Sequence, residues 1–184
     1  MSRGKSVGGL PPDSVVQSEQ EILRDSQRVI ERYHDPGPLS MRKVGLAPCS
    51  PFSVSRELMV ETARLARSYG VRLHTHLAET RDEEDYCQRV YRRRPLELMA
   101  EWSFVGEDVS FAHGIHFNDG ELDLLASTGT AVCHCPSSNM RLGSGIAPVK
   151  EMLEAGVKVG LAVDGSASND SSHMLAEARM AMLL

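Results

Sequence analysis

Apolar positions along the chain alternate between two rhythms: short unbroken runs, and longer stretches with helical spacing. Val15, Val16, Ile22, Leu23, Val29 and Ile30 recur at helical intervals after Pro11-Pro12-Asp13, predicting a helix over about residues 14–33 that His34-Asp-Pro-Gly-Pro38 ends. Lys43–Pro48 reads as a short apolar strand, followed by a helix with Ser55 as N-cap and Gly70 just past its last periodic residue. Val71–His76 is the next strand. A polar loop with Arg92-Arg93-Arg94 as a solvated turn, a helix over about Pro95–Trp102 and a strand Val109–His113 come after it. Asn118 caps a helix carrying Leu122, Leu124 and Leu125, and Thr130–His134 is a strand. A helix over about Ala147–Ala155, a strand Lys158–Asp164 and a helix from Ser172 complete the series. Continuous apolar strands separated by helices are the mark of an α/β protein with a parallel sheet covered on both faces.

Every one of these strands ends in polar or reactive residues: Cys49 and Ser50, His76, His113, His134 and Asp164. Active sites of (β/α)8 TIM barrels lie at the carboxyl ends of the strands, so a barrel explains this distribution. A doubly wound sheet also uses strand carboxyl ends, but a switch-point crevice needs no polar group on five successive strands. Within Val71–Thr80, alternation sends His74 and His76 to one face and Leu73 and Thr75 to the other, and Glu79 follows in the loop, where a general acid/base belongs.

Composition narrows the function classes. With 184 residues and 41% hydrophobic residues the chain can bury a substantial core. A net charge of -5 and a pI near 5.8 argue against a nucleic-acid-binding face. No run approaches a membrane span and no signal peptide is evident, so the expected location is cytoplasmic. Cys49, Cys87, Cys133 and Cys135 do not resemble a disulfide framework. Cys133-His134-Cys135 lacks a second Cys/His pair at zinc-finger spacing, so packing is the expected role of its thiols.

Six motifs in order then carry a resemblance: Gly8-Gly-Leu-Pro-Pro-Asp13, Leu46-Ala-Pro-Cys-Ser-Pro-Phe-Ser-Val-Ser55, His74-Thr-His-Leu-Ala-Glu-Thr80, Ala112-His-Gly-Ile-His116, His134-Cys-Pro-Ser-Ser-Asn-Met-Arg-Leu142 and Val163-Asp-Gly-Ser-Ala-Ser-Asn-Asp170. The chain resembles the amidohydrolase superfamily, in its cytosine, guanine and triazine deaminase branch, nearest the 8-oxoguanine deaminase and hydroxyatrazine ethylaminohydrolase group. The resemblance implies one divalent metal, zinc or else iron, held by a His-x-His pair on the first strand, a fifth-strand His and an eighth-strand Asp. By position His76 is the fifth-strand ligand and Asp164 the eighth-strand ligand. His113 stands beside the metal-bound water, Glu79 carries a proton to and from the substrate ring, and Asp164 accepts the water proton. Ala78-Glu79 after it and Ala47-Pro-Cys-Ser50 before it place His74-Thr-His76 on the fifth strand, which leaves His74 as support one layer deeper. Cys49, His134, Asn139 and Arg141 are candidate substrate or loop contacts. Binuclear relatives bridge two metals with a fourth-strand lysine. Here Lys43 lies at the far end of that strand, so a single metal is expected.

The implied reaction is hydrolytic deamination of an aminated purine, pyrimidine or triazine ring, with a small-molecule partner and no nucleic acid or membrane. A homodimer is one assembly the resemblance allows. Triazine chlorohydrolase or alkylaminohydrolase chemistry and a catalytically dead barrel are the alternatives. A complete barrel takes roughly 250 residues. Residues 1–184 therefore read as a partial barrel, about strands 4 to 8 with the preceding helix, without the first strands or the β-sandwich domain, and expected to be inactive alone.

Overall fold

The computed structural model describes residues 1–9 and 11–184; Leu10 of the Gly8–Asp13 motif lies outside the described residues. The chain forms two compact units, Met1–Thr75 with Met99–Phe104, and His76–Leu98 with Val105–Leu184.

In the first unit, α1 (Glu19–Tyr33) starts where the Ser18 hydroxyl accepts the Glu21 N–H. The expected start at Ser14 is too early: Asp13–Val15 close a single 3-10 turn and Val16 is extended, because the Ser18 cap overrides the Val15-Val16 pair. Strand β1 is only Gly45–Leu46, not the whole of Lys43–Pro48. Lys43 Nζ donates to the Asp35 and Gly37 carbonyls at 2.8 and 2.7 Å, and the Val44 N–H donates to His34 Nδ1 at 3.0 Å, so this stretch is committed to the preceding loop. Helix α2 (Arg56–Tyr69) begins with the Ser55 hydroxyl accepting the Leu58 N–H and ends at Gly70, φ 64°, as read from the sequence. It buries Leu58, Met59, Thr62, Ala63 and Ala66, one helical stripe, and packs against α1.

Strand β2 (Arg72–Leu77) runs through the boundary between the units. Leu73, Thr75 and Leu77 are at most 1% exposed, whereas His74 and His76 on the opposite face are half-buried, confirming the alternation.

Helix α4 (Pro95–Glu101) is divided between the units after Leu98, and the second unit adds α3 (Arg81–Tyr91), β3 (Val109–His113), α5 (Asp119–Thr128), β4 (Ala131–His134), α6 (Pro136–Leu142), α7 (Val149–Glu154), β5 (Lys158–Leu161) and α8 (Met174–Leu183). Asn118 forms a full capping box with Glu121 at the start of α5. Two helices have no counterpart in the sequence reading. Helix α3 buries only Glu83, Tyr86 and Cys87, a stripe too narrow to stand out in a polar segment. Helix α6 follows β4 directly with Pro136 in its first turn. Arg94 is not a solvated side chain: it is half-buried, paired with Glu84 and Glu121, and donates to the His116 carbonyl at 2.7 Å, joining α3 to α5.

The strands form one five-stranded parallel sheet in the order β1-β2-β3-β4-β5, with Ser110↔Ala131 and Ala131↔Lys158 among the paired positions. Strictly sequential order with helical crossovers is the connectivity of a barrel segment, and the order reversal that defines a doubly wound sheet does not occur. Among the described residues no helix is long and apolar enough to cross a membrane.

Candidate metal and catalytic centre

The candidate centre lies within the second unit, where the backbone leaves the ends of β2, β3 and β5. Leu77 accepts the Gly114 N–H at 3.1 Å, and the Ala78 carbonyl accepts the N–H groups of Ile115 and His116 at 2.9 and 3.0 Å. These bonds fix the end of β2 against the end of β3. Backbone strain concentrates here. Ala78, His113 and Asp164 all have left-handed φ, at 52°, 73° and 64°. Side chains disfavour that region, so each residue is held there by its surroundings. Gly114 follows with φ 62°, and a Cβ on it would meet a Phe117 ring carbon at 2.8 Å and Val132 at 3.0 Å.

His113 is buried, and its ring stacks on that of His76 with centroids 5.4 Å apart. Its Nδ1 lies 2.8 Å from Asn139 Oδ1. Its Nε2 faces two carboxylates, Glu79 Oε2 at 3.5 Å and Asp164 Oδ2 at 3.9 Å, and has no hydrogen-bond partner among the described residues. Asp164 is anchored from the other side. The hydroxyls of Ser138 and Ser168 both donate to its Oδ2, at 2.5 and 3.1 Å, and stand 2.8 Å from each other. Burial alone would raise the Asp164 carboxyl. The Ser138 hydroxyl, the Gly165 N–H, nearby His113 and the Ser168 hydroxyl outweigh it and hold the group below its ordinary value.

Two further carboxylates are buried around this centre. Glu83 accepts the Glu79 N–H at 3.0 Å, one residue beyond the usual reach of a capping box. Burial pushes its pKa up to about 7, against the Glu79 and Ala78 N–H groups that favour the charged form; the neighbouring Glu79 raises it further and His76 lowers it. Glu177 of α8 accepts Asn169 Nδ2 at 2.7 Å and the Ser137 N–H at 3.2 Å, tying the loop after β5 to the first turn of α6.

One ligand atom from each of His76, His113 and Asp164 lies within 4.8 Å of the others. A buried imidazole nitrogen without a hydrogen-bond partner among the described residues, facing two carboxylate oxygens, is a position a cation would satisfy. Two imidazoles and a carboxylate suit a borderline divalent cation, so the residues fit a metal. The sequence model of the amidohydrolase family matches residues 6–184. The chain belongs to the amidohydrolase family. It is 52% identical over its full length to an 8-oxoguanine deaminase of Pseudomonas aeruginosa, covering 41% of that protein. Against a hydroxydechloroatrazine ethylaminohydrolase of Pseudomonas sp. strain ADP it is 42% identical over its full length and covers 37%. The atrazine chlorohydrolase of Arthrobacter aurescens TC1 complexed with zinc superposes with a TM-score of 0.88 at 34% identity, over 92% of this chain and 37% of that one. The chain thus spans about two fifths of the length of the relatives it matches.

Within this amidohydrolase segment the expected residues separate. His76, Glu79, His113 and Asp164 are brought together, while His74 stays on the same face of β2, two positions back and outside the group of three. Asn139 is present too, buried, with Oδ1 2.8 Å from His113 Nδ1. Arg141 does not reach the centre: it is exposed and pairs with Asp170 at 3.1 Å, because it lies on the outer face of α6. His134 is buried with Nδ1 unpartnered, and burial, against the pull of Glu177, lowers its pKa. It lines a groove with Ala147, Leu153 and Ala181, none of which belongs to the centre. Cys49 belongs to the first unit, where its carbonyl accepts the Thr75 hydroxyl at 3.1 Å. Burial pushes the Cys135 thiol up to about 12, far from a zinc-binding thiolate, in keeping with a packing role. Ser138, Ser168, Glu83 and Glu177 were missed. Ser138 and Ser168 sit inside quoted motifs, beside Asn139 and four residues after Asp164, but serine is too common to single out without coordinates.

Proposed function

We propose that this sequence carries the side, built from β2 to β5, of a metal-dependent hydrolytic deaminase centre, acting on an aminated purine, pyrimidine or triazine ring, with 8-oxoguanine as the first candidate. The observation that carries the reading is the convergence of His76, His113 and Asp164, with Glu79 Oε2 3.5 Å from His113 Nε2. Zinc is the proposed metal, with His76 and Asp164 as ligands from this sequence; a bound divalent ion makes water acidic enough to supply hydroxide near neutral pH.

The residues divide the proton work. A C–O bond forms at the ring carbon and its C–N bond breaks, so a proton must leave water and a proton must reach the ring. Asp164, ionised and with Oδ2 3.9 Å from His113 Nε2, would take the first. Glu79, half-buried beside the strained Ala78, would deliver a proton to a ring nitrogen and recover one from the attacking oxygen as the C=O bond forms, while Asp164 passes its proton to the amine nitrogen, so that the C–N bond breaks and ammonia leaves. His113, fixed by Asn139, orients the attacking group.

The relation to the ethylaminohydrolase supports a second reading within the same chemistry, displacement of an alkylamine from a triazine. An ammonia- and amine-release screen separates them, using the whole protein that carries this sequence against 8-oxoguanine, guanine, cytosine, isocytosine and amino- or alkylamino-triazines. Turnover of an oxopurine supports the first reading. Turnover of alkylaminotriazines alone supports the second, and no release from any of them contradicts both.

A further inference from the structure

We propose that Asn139 is a positioning residue that fixes His113 as its Nδ1–H tautomer, so that the Nε2 lone pair faces the space shared with His76, Glu79 and Asp164. This deepens the reading of that cluster as the reactive centre and rests on it.

The distances decide which ring nitrogen carries the proton. Nδ1 to Asn139 Oδ1 is 2.8 Å, a full-strength hydrogen bond between two buried groups. Nε2 to Glu79 Oε2 and Asp164 Oδ2 is 3.5 and 3.9 Å. Charge-assisted N–H···O bonds close to about 2.7–2.9 Å, so an Nε2–H aimed at two carboxylates would have drawn at least one of them in. The ring holds back from both. A neutral imidazole has one N–H, and it lies where the acceptor is close, on Nδ1. Asn139 turns Oδ1, which can only accept, toward the ring, and its Nδ2 finds no hydrogen-bond partner among the described residues. The backbone leaves the ring little freedom to compensate. His113 is held at φ 73° in front of Gly114, whose Cα is hemmed in by Phe117, Val132 and Met152. Ser138, the preceding residue in the same buried turn of α6, holds Asp164, so one turn of backbone orients groups from two different strand ends.

The test uses the whole protein that carries this sequence, labelled with 15N-histidine, with the side-chain tautomer of His113 read from long-range 1H–15N correlations. The expected result is a protonated Nδ1 and an unprotonated Nε2. Asn139→Leu, similar in size without an acceptor, should lose that preference and lower kcat on the order of 10–100-fold with KM little changed. Asn139→Asp keeps an acceptor and removes the donor, so it should retain the tautomer and stay near wild type in kcat. An Nε2–H tautomer in the wild-type protein overturns the proposal, and that measurement needs no variant to fold. Asn139→Asp behaving like Asn139→Leu overturns it too, since the amide would then be a donor. A protein with the Nδ1–H tautomer that releases no ammonia contradicts the deaminase reading and supports this one; a working deaminase with Nε2–H does the reverse.

Discussion

The ends of β3 and β5 solve one problem in two ways. Both present a side chain from a left-handed residue, His113 at φ 73° and Asp164 at φ 64°. His113 is held by packing and an amide: its ring is buried, stacked on His76, backed by a glycine with no room for a methyl, and among the described residues hydrogen-bonded only to Asn139. Asp164 is half-buried and held by redundancy, with two hydroxyls and a backbone N–H on one carboxyl. An imidazole has one productive tautomer and tolerates one partner. A carboxylate has several lone pairs, and its position survives the loss of a donor.

That contrast can be broken in four places. Glu79→Gln removes the carboxylate 3.5 Å from His113 Nε2 without changing its shape; if Glu79 carries the proton, kcat should fall by about 10²–10⁴-fold, read by ammonia release. Gly114→Ala strikes the packed side. The left-handed φ and the close contact at 2.8 Å should together cost about 2–4 kcal/mol in urea unfolding. Glu83→Gln tests the carboxyl under the Glu79 turn. Its folded pKa is raised from 4.5 to about 7, so its contribution to stability is intact below pH 4.5 and lost as pH rises to about 7. Relative to Glu83→Gln, wild type should therefore lose on the order of 1–3 kcal/mol between pH 5 and pH 8. A difference that does not change with pH would contradict this. Ser168→Ala should cost the least, about 1 kcal/mol or less in metal affinity or turnover, because Ser138 still holds Oδ2. Ser138→Ala with Ser168→Ala should cost more than the two singles summed, and strict additivity would remove the argument from redundancy.

The parts of the fold legible in the sequence are those governed by local rules. Ser55, Gly70 and Asn118 act through their own backbone neighbours, and β3 falls on Val109–His113 as expected because an apolar run bounded by polar residues needs no long-range information. Helix α3 escaped because its buried face is three residues wide, one of them Glu83. Strand β1 came out short because Lys43 and Val44 are claimed by His34, Asp35 and Gly37 of the preceding loop. The centre followed the same division. His76 and His113 were legible as rare residue types at strand ends, and Asp164 for the same reason, although β5 stops at Leu161 rather than running to Asp164 as expected, which leaves Asp164 three residues beyond the strand. Ser138 and Ser168 were not, because their role depends on a carboxylate 26 and 4 residues away. Asn139 and His113 were each visible in the sequence, but their 2.8 Å contact across 26 residues was not.

The most direct test of the central claim is the metal content of the whole protein that carries this sequence, measured by elemental analysis beside ammonia release, for wild type and His76→Ala. One divalent ion per chain in wild type, lost together with turnover in His76→Ala while the fold persists by circular dichroism, is the predicted result. Undiminished metal and turnover in His76→Ala would contradict the claim that the end of β2 builds the centre.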